Sequence, residues 1–118
     1  MDFTLLTNAG VDVKGAIERF VGNEDLFARM LKKFLDEPCY GKLVAAIEDN
    51  DPKEALAASH TLKGLCGNLS LTHLFELFSE QVTLFRADEW DKAVGMMPEI
   101  GRSYDEMTGA IKNWLTTL

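Results

Sequence analysis

Cysteine, histidine, proline and positive charge are all scarce in this chain, and each scarcity narrows what it can be. Two cysteines, Cys39 and Cys66, among 118 residues are too few for a disulfide framework and lack zinc-site spacing. Both read as reduced thiols, with Cys66 near the edge of a buried stripe. Lys and Arg total 12 against 19 Asp and Glu, a formal net charge of −7. Such a chain lacks the basic stripe that neutralises nucleic-acid phosphates, and it would not dock on an anionic membrane surface. No apolar run approaches a membrane span. The start, Met1-Asp2-Phe3-Thr4-Leu5-Leu6, lacks the cationic region of a signal peptide. Neither nucleic acid nor membrane is an expected partner, and a cytoplasmic location is expected. There is no Walker loop, no glycine-rich strand–turn–helix and no sign of a nucleophile–base triad.

What is present is an ordinary globular composition, 47% apolar and 26% charged, in a length that suits one domain over residues 1–118. No segment alternates like a strand, so the chain reads as all-α. Asp12 is a candidate N-cap for a short helix from Val13 to Phe20. Gly22-Asn23 ends it, and Asn23 can cap a long helix with Glu24 and Asp25 in its first turn. The apolar pattern of that helix, Leu26, Phe27, Met30, Leu31, Phe34 and Leu35, resumes at Leu43, Val44 and Ile47. A kink near Pro38 is expected, with a break into two helices as the alternative. Asp51-Pro52-Lys53-Glu54 reads as N-cap, first helical residue and capping box of a helix that runs to about Leu69. Thr72 or Ser70 would cap the next, whose apolar face is Leu74, Phe75, Leu77, Phe78, Val82 and Phe85. After a turn at Ala87-Asp88-Glu89, a last helix from about Trp90 toward Leu115 turns Met97, Ile100, Tyr104, Met107, Ile111 and Trp114 inward. Four long helices with short connections predict an antiparallel up-down four-helix bundle with one or two short extra helices. One bundle accounts for the apolar faces, so a monomer is expected.

The richest segment is Ser59-His60-Thr61-Leu62-Lys63-Gly64-Leu65-Cys66-Gly67-Asn68. At about 100° per residue, Leu62, Leu65 and Leu69 form one stripe pointing away from His60. Gly64 and Gly67 fall within about 40° of the histidine's line, and Lys63 lies about 60° to its side. Each glycine costs a helix interior roughly 1 kcal/mol relative to alanine. Two of them beside one exposed histidine indicate that something large must approach the ring. An exposed imidazole offers a free ring nitrogen that can attack an activated phosphoryl group. A neighbouring ammonium offsets charge on the phosphoryl oxygens. With no nucleotide site here, the phosphoryl must come from another protein. Lys53, Leu56, Ala57 and Asn68 lie on or beside the same face and complete a candidate docking surface with Gly64 and Gly67. Leu56 either belongs to that surface or packs on a neighbouring helix.

A lone exposed histidine is ordinarily just a surface residue; the lysine, the glycines and the opposed stripe set His60 apart. His73 lacks that context and reads as a cap-region or surface residue. Cys66 points about 240° around the helix from His60, which argues against a metal site of His60, Cys66 and His73. No metal and no cofactor are expected.

At these residues, from Ser59 through Leu69, the sequence resembles the histidine phosphotransfer (HPt) family of multistep phosphorelays. The likeness extends upstream through Gly10-Val11-Asp12-Val13, Ala16-Ile17-Glu18-Arg19-Phe20, Asn23-Glu24-Asp25-Leu26, Phe34-Leu35 and the helix start at Asp51. It covers about residues 8 to 115. The resemblance implies that His60 is the phosphoacceptor, Lys63 the phosphoryl-stabilising cation, and Gly64 and Gly67 the clearance. It implies receiver domains of response regulators as partners, with the phosphoaspartate and Mg²⁺ in the partner, and a hybrid histidine kinase as a further candidate. Such a protein is a carrier without turnover of its own. One alternative shares the motif, a chemotaxis-kinase-type module phosphorylated directly by a kinase domain; another, a bundle that docks on receivers without taking phosphate, is opposed by the presence of both His60 and Lys63. The chain departs from the family at Ser70-Leu71, where Gly or Ala is frequent, and at Gln81-Val82, where a Leu-Glu pair is frequent.

Overall fold

Three polar side chains start helices where the sequence places them. Asp12 accepts from the Gly15 N–H at 3.1 Å, Asn23 from Leu26 at 3.0 Å and Asp51 from Glu54 at 3.2 Å. The computed structural model describes residues 1–118, and the chain is all-helical apart from one isolated bridge between Val11 and Leu71. In order the helices are α1 (Thr4–Asn8), α2 (Val13–Arg19), α3 (Glu24–Leu35), α4 (Cys39–Glu48), α5 (Pro52–Asn68), α6 (Thr72–Arg86), α7 (Trp90–Gly95) and α8 (Met97–Leu115). α5 lies between α4 and α6, while α3 and α6 both pack on α8, closing a bundle 43 Å long. α1, α2 and α7 are the short helices, one more than the one or two expected. The core runs the length of the bundle through Phe27, Leu31, Leu43, Leu62, Leu74, Phe78, Ile100, Ile111 and Trp114. No helix is long and apolar enough to cross a membrane.

Four local expectations are corrected. The helix breaks near Pro38 and does not merely kink. Asp36 and Glu37 close α3 by donating to Lys33 and Phe34, and Pro38, with no N–H, cannot extend the ladder. The break lets α4 begin with Cys39 and Tyr40 turned inward. Tyr40 stacks on Tyr104 of α8 at 4.2 Å, and Gly101 admits its hydroxyl, which would lie 3.1 Å from a Cβ there. The expected last helix likewise divides into α7 and α8, because Pro98 in the first turn of α8 has no N–H to donate back to Val94. The capping box before α5 is only half made, since the Asp51 N–H donates to the Ala46 carbonyl at 2.8 Å. Neither Ser70 nor Thr72 caps α6; Leu71 occupies the N-cap without a side-chain bond. Ser70 instead takes a left-handed conformation, φ 55°, that glycine adopts freely.

Candidate functional site

Rotation of α5 decides which of its side chains reach solvent. Ala55, Ala58, Ser59, Leu62 and Cys66 are buried, whereas Lys53, Ala57, His60, Gly64 and Asn68 are exposed. The sequence-read face is therefore assembled on one side of one helix, at mid-bundle. Leu56 is half-buried against the edge of the core. The His60 ring forms no hydrogen bond to the protein. A Cβ at Gly64 would meet open space, so the backbone beside the histidine is bare. His73 stands elsewhere, in the first turn of α6, 4.0 Å from Glu99. No group of three His, Cys, Asp or Glu side chains converges to hold a metal ion.

Lys63 is half-buried, and its ammonium lies 5.9 Å from the centroid of the Phe75 ring. No carboxylate approaches it within ion-pair distance; the pairs in the molecule are Met1–Glu24, His73–Glu99 and Lys92–Glu89. Gly67 differs from Gly64 in having the Phe75 ring beside it, 3.7 Å from where a Cβ would stand. Phase along α5 cannot reveal Phe75, which arrives from α6. Its own helical spacing reads simply as core, although the ring is only half-buried.

Two polar devices fix α5, and sequence reading missed both. Ser59, adjacent to His60 and fully buried, donates to Gln81 Oε1 at 2.8 Å. Gln81 Nε2 in turn donates to the Ala93 carbonyl at 3.1 Å and contacts Met97 Sδ at 3.2 Å. This chain crosses from α5 through α6 to α7 and α8, at one of the two departures from the resembled pattern. At the other departure, Arg19 Nη1 donates to the Gly67 carbonyl at 2.6 Å, the Asn68 carbonyl at 2.9 Å and Ser70 Oγ at 3.0 Å. The guanidinium thus satisfies the Asn68 carbonyl, shares the Gly67 carbonyl with the Ser70 N–H, and complements the helix dipole. The Asp12 N–H donates to the Ser70 carbonyl at 3.0 Å, tying the same turn to the start of α2.

The Cys66 thiol faces the other way; burial pushes its pKa up to about 12, so it is not a nucleophile in this protein. Beside the His60 face a groove of about 470 Å³ opens between α2, α3 and the C-terminal half of α5, lined by Phe20, Met30, Phe34 and Leu65 among others. A bare imidazole, an uncompensated ammonium, an open backbone strip and an adjoining apolar groove make a surface suited to nucleophilic chemistry on a group carried in by another macromolecule. Among known families, the model for the Hpt domain matches residues 29–116. No curated protein and no solved structure matches the chain significantly.

Proposed function

The chain belongs to the Hpt domain family, and from that premise we propose that it relays a phosphoryl group between receiver-domain aspartates through phosphohistidine at His60. Proteins of this family serve histidine phosphotransfer in phosphorelays and act as carriers. The observation that carries the assignment to His60 is the pairing of an exposed, unbonded imidazole with a lysine that no carboxylate neutralises. The unprotonated ring nitrogen attacks the phosphorus of the partner's acyl phosphate. An N–P bond forms as the P–O bond to the partner's aspartate breaks, and that electron pair leaves with the carboxylate. The proton on the other ring nitrogen is free to exchange with solvent. Lys63 offsets the charge on the three phosphoryl oxygens during transfer. The bare strip at Gly64 gives the partner's site access to the ring, and Lys53, Leu56, Ala57, Gly67 and Asn68 form the docking rim around it. The single domain over residues 1–118, acting as a monomer in the cytoplasm, belongs to the same proposal. The reading invokes no cofactor or metal of the chain's own.

The test is intact mass after incubation with a phosphorylated receiver domain and Mg²⁺, beside His60→Gln and Lys63→Ala. Wild type is expected to gain one acid-labile phosphoryl, His60→Gln none, and Lys63→Ala to acquire it roughly 10- to 100-fold more slowly. Loading by a kinase domain but by no receiver would overturn the relay in favour of a direct kinase substrate. Binding to receivers without any mass gain would leave docking alone.

A further inference from the structure

We propose that Phe75 is a positioning residue for Lys63: its ring holds the ammonium on the His60 face while leaving the positive charge available to a phosphoryl group. This rests on the transfer chemistry proposed above, and it deepens that reading at a residue outside the resembled motif.

A lysine side chain is a flexible four-carbon stem with a strongly hydrated head. Something must keep it from sampling bulk solvent if it is to act at a neighbouring residue. A carboxylate would do so only by neutralising it. The ring faces of Phe, Tyr and Trp attract a cation within about 6 Å through their quadrupole, and they carry no charge. The Lys63 ammonium stands 5.9 Å from the Phe75 centroid, with no competing carboxylate in reach.

The placement of that ring is built into the turn between α5 and α6. Leu71 is fully buried and bridges to Val11, so α6 starts at a fixed angle, and Phe75 falls in its first turn. Gly67 provides the berth. The ring lies 3.7 Å from where a Cβ would stand, ordinary van der Waals contact, so a side chain extending beyond Cβ would compete with it for this space. Gly64 and Gly67 thus serve different ends: the first clears the approach to His60, the second seats the aromatic that steers the cation. Phe75 touches neither the histidine's bonding partner nor the phosphoryl in this scheme; it acts through Lys63.

The experiment uses the full chain as wild type, Phe75→Leu, Phe75→Tyr, Lys63→Ala and the Lys63→Ala/Phe75→Leu double variant. Circular dichroism confirms that each is folded. Single-turnover phosphoryl uptake is followed against increasing phosphorylated receiver, and proton NMR reports the Lys63 ε-methylene. Phe75→Leu is expected to slow the saturated transfer step about two- to fivefold, with half-saturation unchanged. Phe75→Tyr restores the rate, and Phe75→Leu has no further effect once Lys63 is alanine. The ε-methylene protons are shifted upfield by the ring in wild type and lose that shift in Phe75→Leu. An equal loss in the Lys63→Ala background, or an unshifted methylene in wild type, overturns the proposal. If wild type accepts phosphoryl from no receiver, the relay reading fails, while the NMR arm still decides whether the ring holds the ammonium.

Discussion

Burial and backbone angle act one side chain at a time, and two residues make this measurable. Val21 follows α2 with φ 56° and is 92% exposed. A β-branched residue is strained in that conformation, and nothing packs against it in return. Asn tolerates the left-handed region without glycine's entropy, so Val21→Asn is expected to stabilise by about 1 kcal/mol and raise Tm by roughly 4 °C in a thermal melt. Cys66 offers the second case. Burial pushes its pKa up to about 12, so the native thiol stays protonated at pH 8. Cys39 is also buried, and desolvation raises its pKa as well. A disulfide-exchange reagent at pH 8 should find neither thiol in native protein and both after denaturation; rapid labelling of the native chain would contradict the packing.

Between elements, the Ser59–Gln81 bond is the decisive polar contact, since it links the helix bearing His60 to α6 and, through Ala93, to α7. Removing one partner strands a buried polar atom, whereas replacing both with apolar groups removes the need. Ser59→Ala and Gln81→Leu should each destabilise by about 1–3 kcal/mol. The double variant should cost clearly less than their sum in urea unfolding, and simple additivity would refute the coupling. Much of the element order was legible because Asp12, Asn23 and Asp51 signal helix starts locally, and because one phase angle sorts the faces of α5. The α3–α4 break was less legible, since the stack of Tyr40 on Tyr104 that favours it spans 64 residues. The start of α6 was misread because Ser70 is spent on ending α5: it takes the left-handed position after the C-cap, with its N–H donating to Gly67 and the Leu71 N–H to Cys66. Arg19 escaped notice as a cap because its carbonyl partners lie 48 and 49 residues away. The His60 face was readable from one helix; Phe75 required knowing how two helices are rotated against each other.

For the molecule as a whole, the buried acids set an alkaline limit. Burial raises Cys66 from 9.0 and Tyr104 from 10.0, both to about 12. Above pH 9 the unfolded chain releases these protons while the folded chain retains them, so rising pH favours unfolding. The contribution is complete below pH 9 and is lost between about 9 and 12. Tm followed by circular dichroism should be flat from pH 7 to 8.5 and fall steadily beyond 9; a flat profile to pH 11 would contradict it. Another consequence comes from the amino-terminal arm. Residues 1–28 lie outside the span that the family model matches, yet Leu6, Val11, Ala16 and Phe27 are buried in the core and Trp114 Nε1 donates to the Asp2 carbonyl. Arg19 and Val11 close the turn on which α5 and α6 pivot. The cooperative unit is thus longer than its recognisable signature. A module excised at the edges of that signature would carry the phosphoacceptor helix away without the staple that holds its end, so grafts and fusions should take the arm with it.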